Sequence, residues 1–320
     1  MKLLIQKILI HALIISTLII IIFYLSRSES VFLYTDNFKQ KIKLISNRKS
    51  SSIILVGGSS MAFGVDSKML YDSIGIPVIN MGLQGSLGMS IPLYYVSKYL
   101  KPGDIILFAP EYDQYQNENY LGEGMTPARV IVHADPKFLF CASYKELKKI
   151  LPYSFPTIIE KLTIKTTYNL KLRKIDSSFN KFGDFVYHLN KKNRVISNQV
   201  FNTKIGSAFN YESISYMNKI NQQIKKRKGL MLISFQPILY QVGINNINPI
   251  NKISNALRLS KIPVISIPEN YFFNQKFIFE GAHHLNKKGR EIRTKKLIKD
   301  LKYFLKDSEN LKNIIDNSNP

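Results

Sequence analysis

Five short runs of branched aliphatic residues, separated by longer stretches of mixed polarity, limit what this chain can fold into. They are SIILV ending at Val56, IPVIN ending at Asn80, DIILFAP ending at Pro110, LMLISF ending at Phe235 and IPVISIP ending at Pro268. Runs this short, apolar at successive positions rather than alternate ones, are buried on both faces, which is the mark of a parallel-sheet strand. Helical patterns lie between most of them. Asp66 or Ser67 can cap a helix through Met69, Leu70 and Ile74 that stops at Gly75, and a second from Leu87 to Leu100 stops at KPGD. Further helices are predicted at Tyr211–Lys228, Asn251–Ser260 and Lys287–Leu305. Strands and helices in this order make right-handed βαβ units. The expected fold is therefore α/β: a three-layer, flavodoxin-like domain with about five parallel strands. The alternation lapses between residues 113 and 209, a stretch rich in Tyr, Lys and Asn. It is expected to be a mostly helical insertion or lid, with helices at Ser143–Ile150 and Phe155–Leu172.

The first residues read differently. Ile8 to Leu25 is a nearly unbroken apolar run behind Lys2 and Lys7, interrupted by His11, Ser16 and Thr17, and its length suits one membrane-spanning helix. No small-residue cleavage pattern follows in IIIIFYLSRSES, so an uncleaved anchor is expected. Residues 1–27 are then the anchor, 28–52 a juxtamembrane stalk with a helix near Phe38–Ile45, 53–310 the α/β domain and 311–320 a polar tail. Lys2 and Lys7 precede the run and Arg27, Lys39, Lys41 and Lys43 follow it, so the positive-inside rule casts no vote on orientation.

A single cysteine, Cys141, excludes an internal disulfide and a cysteine-built zinc site. The net charge of +23 comes from 45 Lys and Arg against 22 Asp and Glu. These cations are spread among Ile and Asn, without the basic-plus-aromatic layout of a nucleic-acid module, and no nucleic-acid partner is expected. GGSSMAFG lacks the Gly-Lys-Ser/Thr ending of a phosphate loop, and GLQGSLG is spaced unlike a dinucleotide fingerprint. No cofactor is expected. Adjacent histidines on a loop seldom face one ion, so no metal is expected at His283, His284 and Glu280.

Ligands of an open parallel sheet bind beyond the carboxyl ends of its strands. That rim collects Gly57, Gly58, Ser59 and Ser60 after the first run, Asn80, Gly82 and Gly85 after the second, and Glu111 and Asp113 after the third. Glu280, His283 and His284 stand just before the last helix. A serine hydroxyl becomes a nucleophile when an imidazole takes its proton, and a carboxylate orients the imidazole. Glycines beside the serine let backbone N–H groups approach an oxyanion. The inventory is that of acyl transfer.

On these residues the chain resembles an SGNH hydrolase of the GDSL esterase superfamily, in the membrane-anchored branch linked to cell-surface polysaccharide modification. GGSSMAFGVD resembles the block around the nucleophile, NMGLQG the second block and HLNKKG the last, and the likeness spans roughly residues 53–115 and 229–305. It implies Ser59 as nucleophile, His284 as base and the Gly85 N–H as an oxyanion donor, with Asn80 beside it. Two positions depart from the pattern. Glu111 stands where the family has an asparagine donor, and Gly281 where it has the acid three residues before the histidine. Glu280, four residues before His284 and three before His283, is the nearest acid, which leaves His283 as the alternative base. The implied activity is a serine esterase or O-acyltransferase working on acyl groups, acetyl by preference, of a cell-envelope glycan. The domain would lie outside the cytoplasm, held by its N-terminal helix and served by a membrane-bound acyl-transfer partner. The other reading is an inactive member that binds polysaccharide or a membrane partner.

Overall fold

The computed structural model describes residues 33–163, 178–206 and 208–306, with scattered positions between 5 and 17. The chain forms two compact units, one of residues 37–123 with 176–320 and the other of residues 1–36 with 124–175. The larger unit is α/β. Its sheet has four parallel strands, β1 (Ile53–Gly57), β2 (Val78–Asn80), β3 (Ile105–Ala109) and β4 (Leu230–Ile233), in the order β2-β1-β3-β4. Ile53 pairs with Ile105 and Ile105 with Leu230, so the strands stay level across the sheet. Every residue of β1 and β3 is buried, in keeping with their unbroken apolar runs.

The expected fifth strand shrinks to one parallel bridge between Ile233 and Val264. Ile233 donates to the Pro263 carbonyl at 2.8 Å, and Ile265 donates back at 2.9 Å. Pro263 has no N–H to extend the ladder, and Pro268 opens a 3₁₀ turn that ends the run.

After α1 (Leu33–Asn47) and the first strand come α2 (Ser59–Gly64) and α3 (Ser67–Ile74). The Asp66 carboxylate accepts from the Met69 N–H at 3.1 Å, so of the two expected caps Asp66 is the one in place. α4 (Ser90–Lys98) follows β2 after a 3₁₀ turn at Gly85–Leu87, which is why the helix starts later than its apolar spacing indicates. The stretch expected as a stalk is built into the larger unit over its second half. Phe38, Lys41 and Ile45 of α1 are buried, and the Lys41 ammonium donates to the carbonyls of Asn80 (2.8 Å) and Gly183 (2.6 Å).

In the smaller unit, α5 (Thr126–Ala134) packs on α6 (Tyr144–Thr163). One helix stands where two were expected. Pro152 and Pro156 both lie on its exposed side, four residues apart. Ser143 and Glu146 start it with a capping box: the carboxylate accepts from the Ser143 N–H, and the Ser143 hydroxyl from the Glu146 N–H. The larger unit closes with α7 (Tyr211–Lys226), α8 (Ile247–Arg258) and α9 (Lys287–Lys306). Among the described residues no helix is long and apolar enough to cross a membrane. The expected anchor, Ile8–Leu25, lies almost wholly outside the described residues, as does the polar tail 311–320.

Candidate active site

Strand β1 passes through Gly58 directly into α2, so Ser59 stands on the first turn of a helix at the carboxyl edge of the sheet. Opposite it, β7 (Ile278–Glu280) and β8 (His284–Leu285) form an antiparallel hairpin, β5 and β6 being the two-residue pair Ile238–Leu239 and Phe272–Phe273. Glu280 and His284 are paired across this hairpin. The connection is the three residues Gly281, Ala282 and His283, with Gly281 at φ +59°, a left-handed conformation that favours glycine. This settles the spacing of the acid. Residues directly opposite on two strands face the same side, so an acid four residues before the histidine meets its ring, with the glycine in the turn between them.

The hydroxyl of Ser59 lies 2.8 Å from His284 Nε2, and His284 Nδ1 lies 3.3 Å from Glu280 Oε1. Glu280 Oε2 in turn meets the Arg194 guanidinium at 2.6 Å. The hydrogen bond with His284 is the largest influence holding the Glu280 carboxyl below its ordinary range, and Arg194 adds to it. Phe63, one turn beyond Ser59 on α2, stacks on the His284 ring with centroids 4.1 Å apart and planes 9° from parallel. The imidazole is thus held at both nitrogens and on one face.

Glu111 enters from the end of β3. Its Oε1 accepts from the Ser60 N–H at 3.2 Å and lies 3.2 Å from the Ser59 hydroxyl oxygen, whose single proton is also within reach of His284 Nε2. The same carboxylate lies against two glycines: a Cβ on Gly85 would fall 1.8 Å from Oε2 and one on Gly58 2.2 Å from Oε1. Only glycine leaves room there. Gln114 fastens the two loops, donating to the Gly85 carbonyl at 2.7 Å and accepting from the Glu111 N–H at 3.3 Å. His283 Nε2 stands 3.9 Å from Glu111, beyond hydrogen-bond reach, and its enclosure holds the ring below the ordinary imidazole range while Glu111 pulls the other way.

Ser59, His284 and Glu280 are therefore brought into one line, with Gly85, Glu111 and His283 around it. Asn80 is not among them. It is fully buried: its amide donates to Met61 O (3.2 Å) and Asp184 Oδ1 (2.9 Å), and its oxygen accepts from the Gly82 N–H (2.9 Å). No polar atom is left to meet a substrate. The buried Asp184 also accepts from the Ser67 hydroxyl at 2.5 Å and pairs with Arg290 of α9 at 2.8 Å, tying the 178–190 loop to the start of α3 and to α9. Arg293, fully buried in the same helix, donates to Ser60 O at 2.5 Å.

Sequence reasoning passed over Phe63, Arg194, Asp184 and Arg293. Phe63 had a signal, since a residue four after Ser59 shares its helix face. Arg194 had none: it reaches Glu280 because its own N–H donates to the Phe279 carbonyl at 2.8 Å, laying the 191–194 segment beside the hairpin.

His188 sits behind Phe63, centroids 4.6 Å apart, with Nε2 3.0 Å from the Leu285 carbonyl. Burial lowers it from the ordinary 6.5 to about 4, reinforced by the Arg290 charge. Between those two values the unfolded chain binds a proton that the folded chain refuses, so stability rises with pH across this window and is lost as pH falls through it. A shift of this size corresponds to about 3 kcal/mol. The melting temperature should fall steeply between pH 6.5 and 4, with His283 acting in the same direction. In His188→Phe, which starts lower for want of the Leu285 bond, that acid-dependent fall should be smaller, the remainder coming from His283. Equal slopes in thermal denaturation across this range would contradict the assignment.

The chain matches no protein-family model and no curated protein sequence.

Proposed function

We propose that this protein is a serine esterase or O-acyltransferase of the SGNH type, forming an acyl-serine on Ser59. The observation that carries the proposal is the continuous line from Ser59 Oγ through both nitrogens of His284 to Glu280. In this reading His284 Nε2 takes the Ser59 proton as the oxygen attacks an ester carbonyl, and the ring then returns the proton to the leaving alkoxide. Glu280 keeps Nδ1 protonated and stabilises the imidazolium. Water or a sugar hydroxyl, deprotonated by the same ring, releases the acyl group, so hydrolysis and transfer share every residue named. The backbone N–H groups of Ser59 and Gly85 are assigned to the oxyanion. The fold lends support: the order β2-β1-β3-β4 with Val264 beyond β4 fits a flavodoxin-like, three-layer domain. The substrate we assign is an acylated, by preference acetylated, cell-envelope glycan, met outside the cytoplasm by an N-terminally anchored domain working with a membrane-bound acyl-transfer partner. That assignment follows from the resemblance of the three sequence blocks.

A second reading, a non-catalytic binder of polysaccharide or a membrane partner, is favoured by one observation: the Glu111 carboxylate fills the space beside Gly85 that an oxyanion would need. Labelling of the full chain with a fluorophosphonate separates the two. An esterase is labelled at Ser59, and a binder is not labelled.

The hairpin pairing also orders the histidines. His284→Ala should cost turnover of p-nitrophenyl acetate on the order of 10³-fold or more, and His283→Ala less than about tenfold. Glu280→Gln should fall between them, because a neutral partner no longer stabilises the imidazolium. The reverse order of the two histidines in steady-state assays would make His283 the base.

A further inference from the structure

The line from Ser59 to Glu280 uses one histidine of the adjacent pair and leaves the other without a task. His283 stands on the hairpin turn, which is tied to β5 because the Ala282 carbonyl accepts from the Leu239 N–H at 2.6 Å. Its ring packs edge-on against His284, with centroids 4.7 Å apart and planes at 83°. The imidazole is therefore fixed beside the nucleophile, yet neither of its nitrogens has a hydrogen-bond partner among the described residues. Its side chain keeps 31 % exposure, so a ligand can reach it. Enclosure brings the ring down to about 4 against the pull of Glu111. It is then neutral near neutral pH, able to donate at one nitrogen and accept at the other.

His283 Nε2 and Glu111 Oε1 are 3.9 Å apart, too far to bond each other and close enough for a single oxygen to bond both. With the ring proton on Nε2, a hydroxyl set between them receives from the imidazole and gives its own proton to the carboxylate. Oε1 is also 3.2 Å from Ser59 Oγ, which puts that hydroxyl within about 6 Å of the nucleophile. We infer that His283 selects the acyl acceptor, holding one hydroxyl of a vicinal diol while the neighbouring hydroxyl attacks the acyl-serine. The inference rests on the serine chemistry proposed above and separates what that chemistry leaves shared. Water and a sugar hydroxyl both use His284, but only a polyol brings a second hydroxyl for His283. The attacking hydroxyl gives its proton to His284 Nε2 as its oxygen bonds to the acyl carbon. The bond from that carbon to Ser59 Oγ then breaks, and the proton passes to Oγ. His283 and Glu111 neither gain nor lose a proton. They orient the acceptor, which favours transfer over hydrolysis.

Two alcohols that differ in the second hydroxyl alone supply the test. The full-length protein is given p-nitrophenyl acetate with either ethylene glycol or 2-methoxyethanol, in which the second oxygen is capped by a methyl group. Acetylated alcohol and free acetate are then quantified, and their ratio does not depend on how fast Ser59 is acylated. The wild-type protein should transfer to ethylene glycol at least about tenfold better than to 2-methoxyethanol, the gain that one well-held hydroxyl brings. In His283→Ala the two alcohols should become equal. His283→Gln, which keeps a donor and an acceptor, should restore part of the preference. A wild-type protein indifferent to the second hydroxyl, or a preference unchanged in His283→Ala, would overturn the inference and leave the serine chemistry standing. Loss of all turnover in both His283 variants would overturn it too, by placing His283 in the proton transfer. A wild-type protein with neither acetate release nor fluorophosphonate labelling of Ser59 would remove the serine chemistry itself, and the inference with it.

Discussion

Ser59→Ala should reduce ester hydrolysis by at least about 10³-fold and abolish fluorophosphonate labelling, with the fold unchanged. In the proposed reaction Ser59 Oγ alone forms the covalent bond. The Ser60 side chain is buried on the same turn, and only its N–H faces Glu111. If Ser59 and His284 serve one proton transfer, as proposed, the double variant Ser59→Ala/His284→Ala should be no worse than Ser59→Ala alone. Additive losses would mean that the 2.8 Å contact between them is not the reacting pair. Steady-state kinetics with p-nitrophenyl acetate on the four proteins of this cycle decide it.

Glu111→Gln should raise turnover, by on the order of 10²-fold. In the resting site the carboxylate lies between Ser59, Ser60, Gly58 and Gly85, beside the position assigned to the oxyanion. Two unit charges about 4 Å apart repel by about 4 kcal/mol at an effective dielectric of 20, and a transition state that gathers negative charge there bears that cost. A carboxylate accepts hydrogen bonds but cannot give one, whereas the glutamine amide of the same shape can donate to the oxyanion. One such donor is worth about 3 kcal/mol in acyl transfer. An increase in the rate of Ser59 acylation would identify Glu111 as a brake on ester chemistry. A decrease would assign the carboxylate to holding a substrate hydroxyl. No turnover in either protein would favour the non-catalytic reading.

The legibility of this chain followed the range of the interactions. Strands β1, β3 and β4 were readable because burial on both faces demands an unbroken apolar run, and α3 because Asp66 caps it locally. The fifth strand was overread: its residues are apolar, but two prolines set its hydrogen-bonding capacity at a single bridge. α6 was read as two helices, Ser143–Ile150 and Phe155–Leu172, and the structure runs one helix through Pro152 and Pro156, packed against α5. In the site, Ser59 and the His284 block were visible from their place on the sheet rim. Asn80 looked the same from the sequence and proved to be a buried tie to Asp184.

The sequence by itself determined the parallel α/β arrangement, the edge of the sheet where polar residues gather, and which serine and which histidines stand there. These depend on hydrophobic periodicity and on caps, which act within a few residues. Only the tertiary structure decided that Glu280 faces His284 across a hairpin, that Arg194 braces Glu280, that Phe63 stacks on the imidazole, and that Glu111 occupies the ground beside Gly85. Each of these joins groups from different loops or fixes a side-chain direction. Such directions are set by how elements pack, and no local pattern records them.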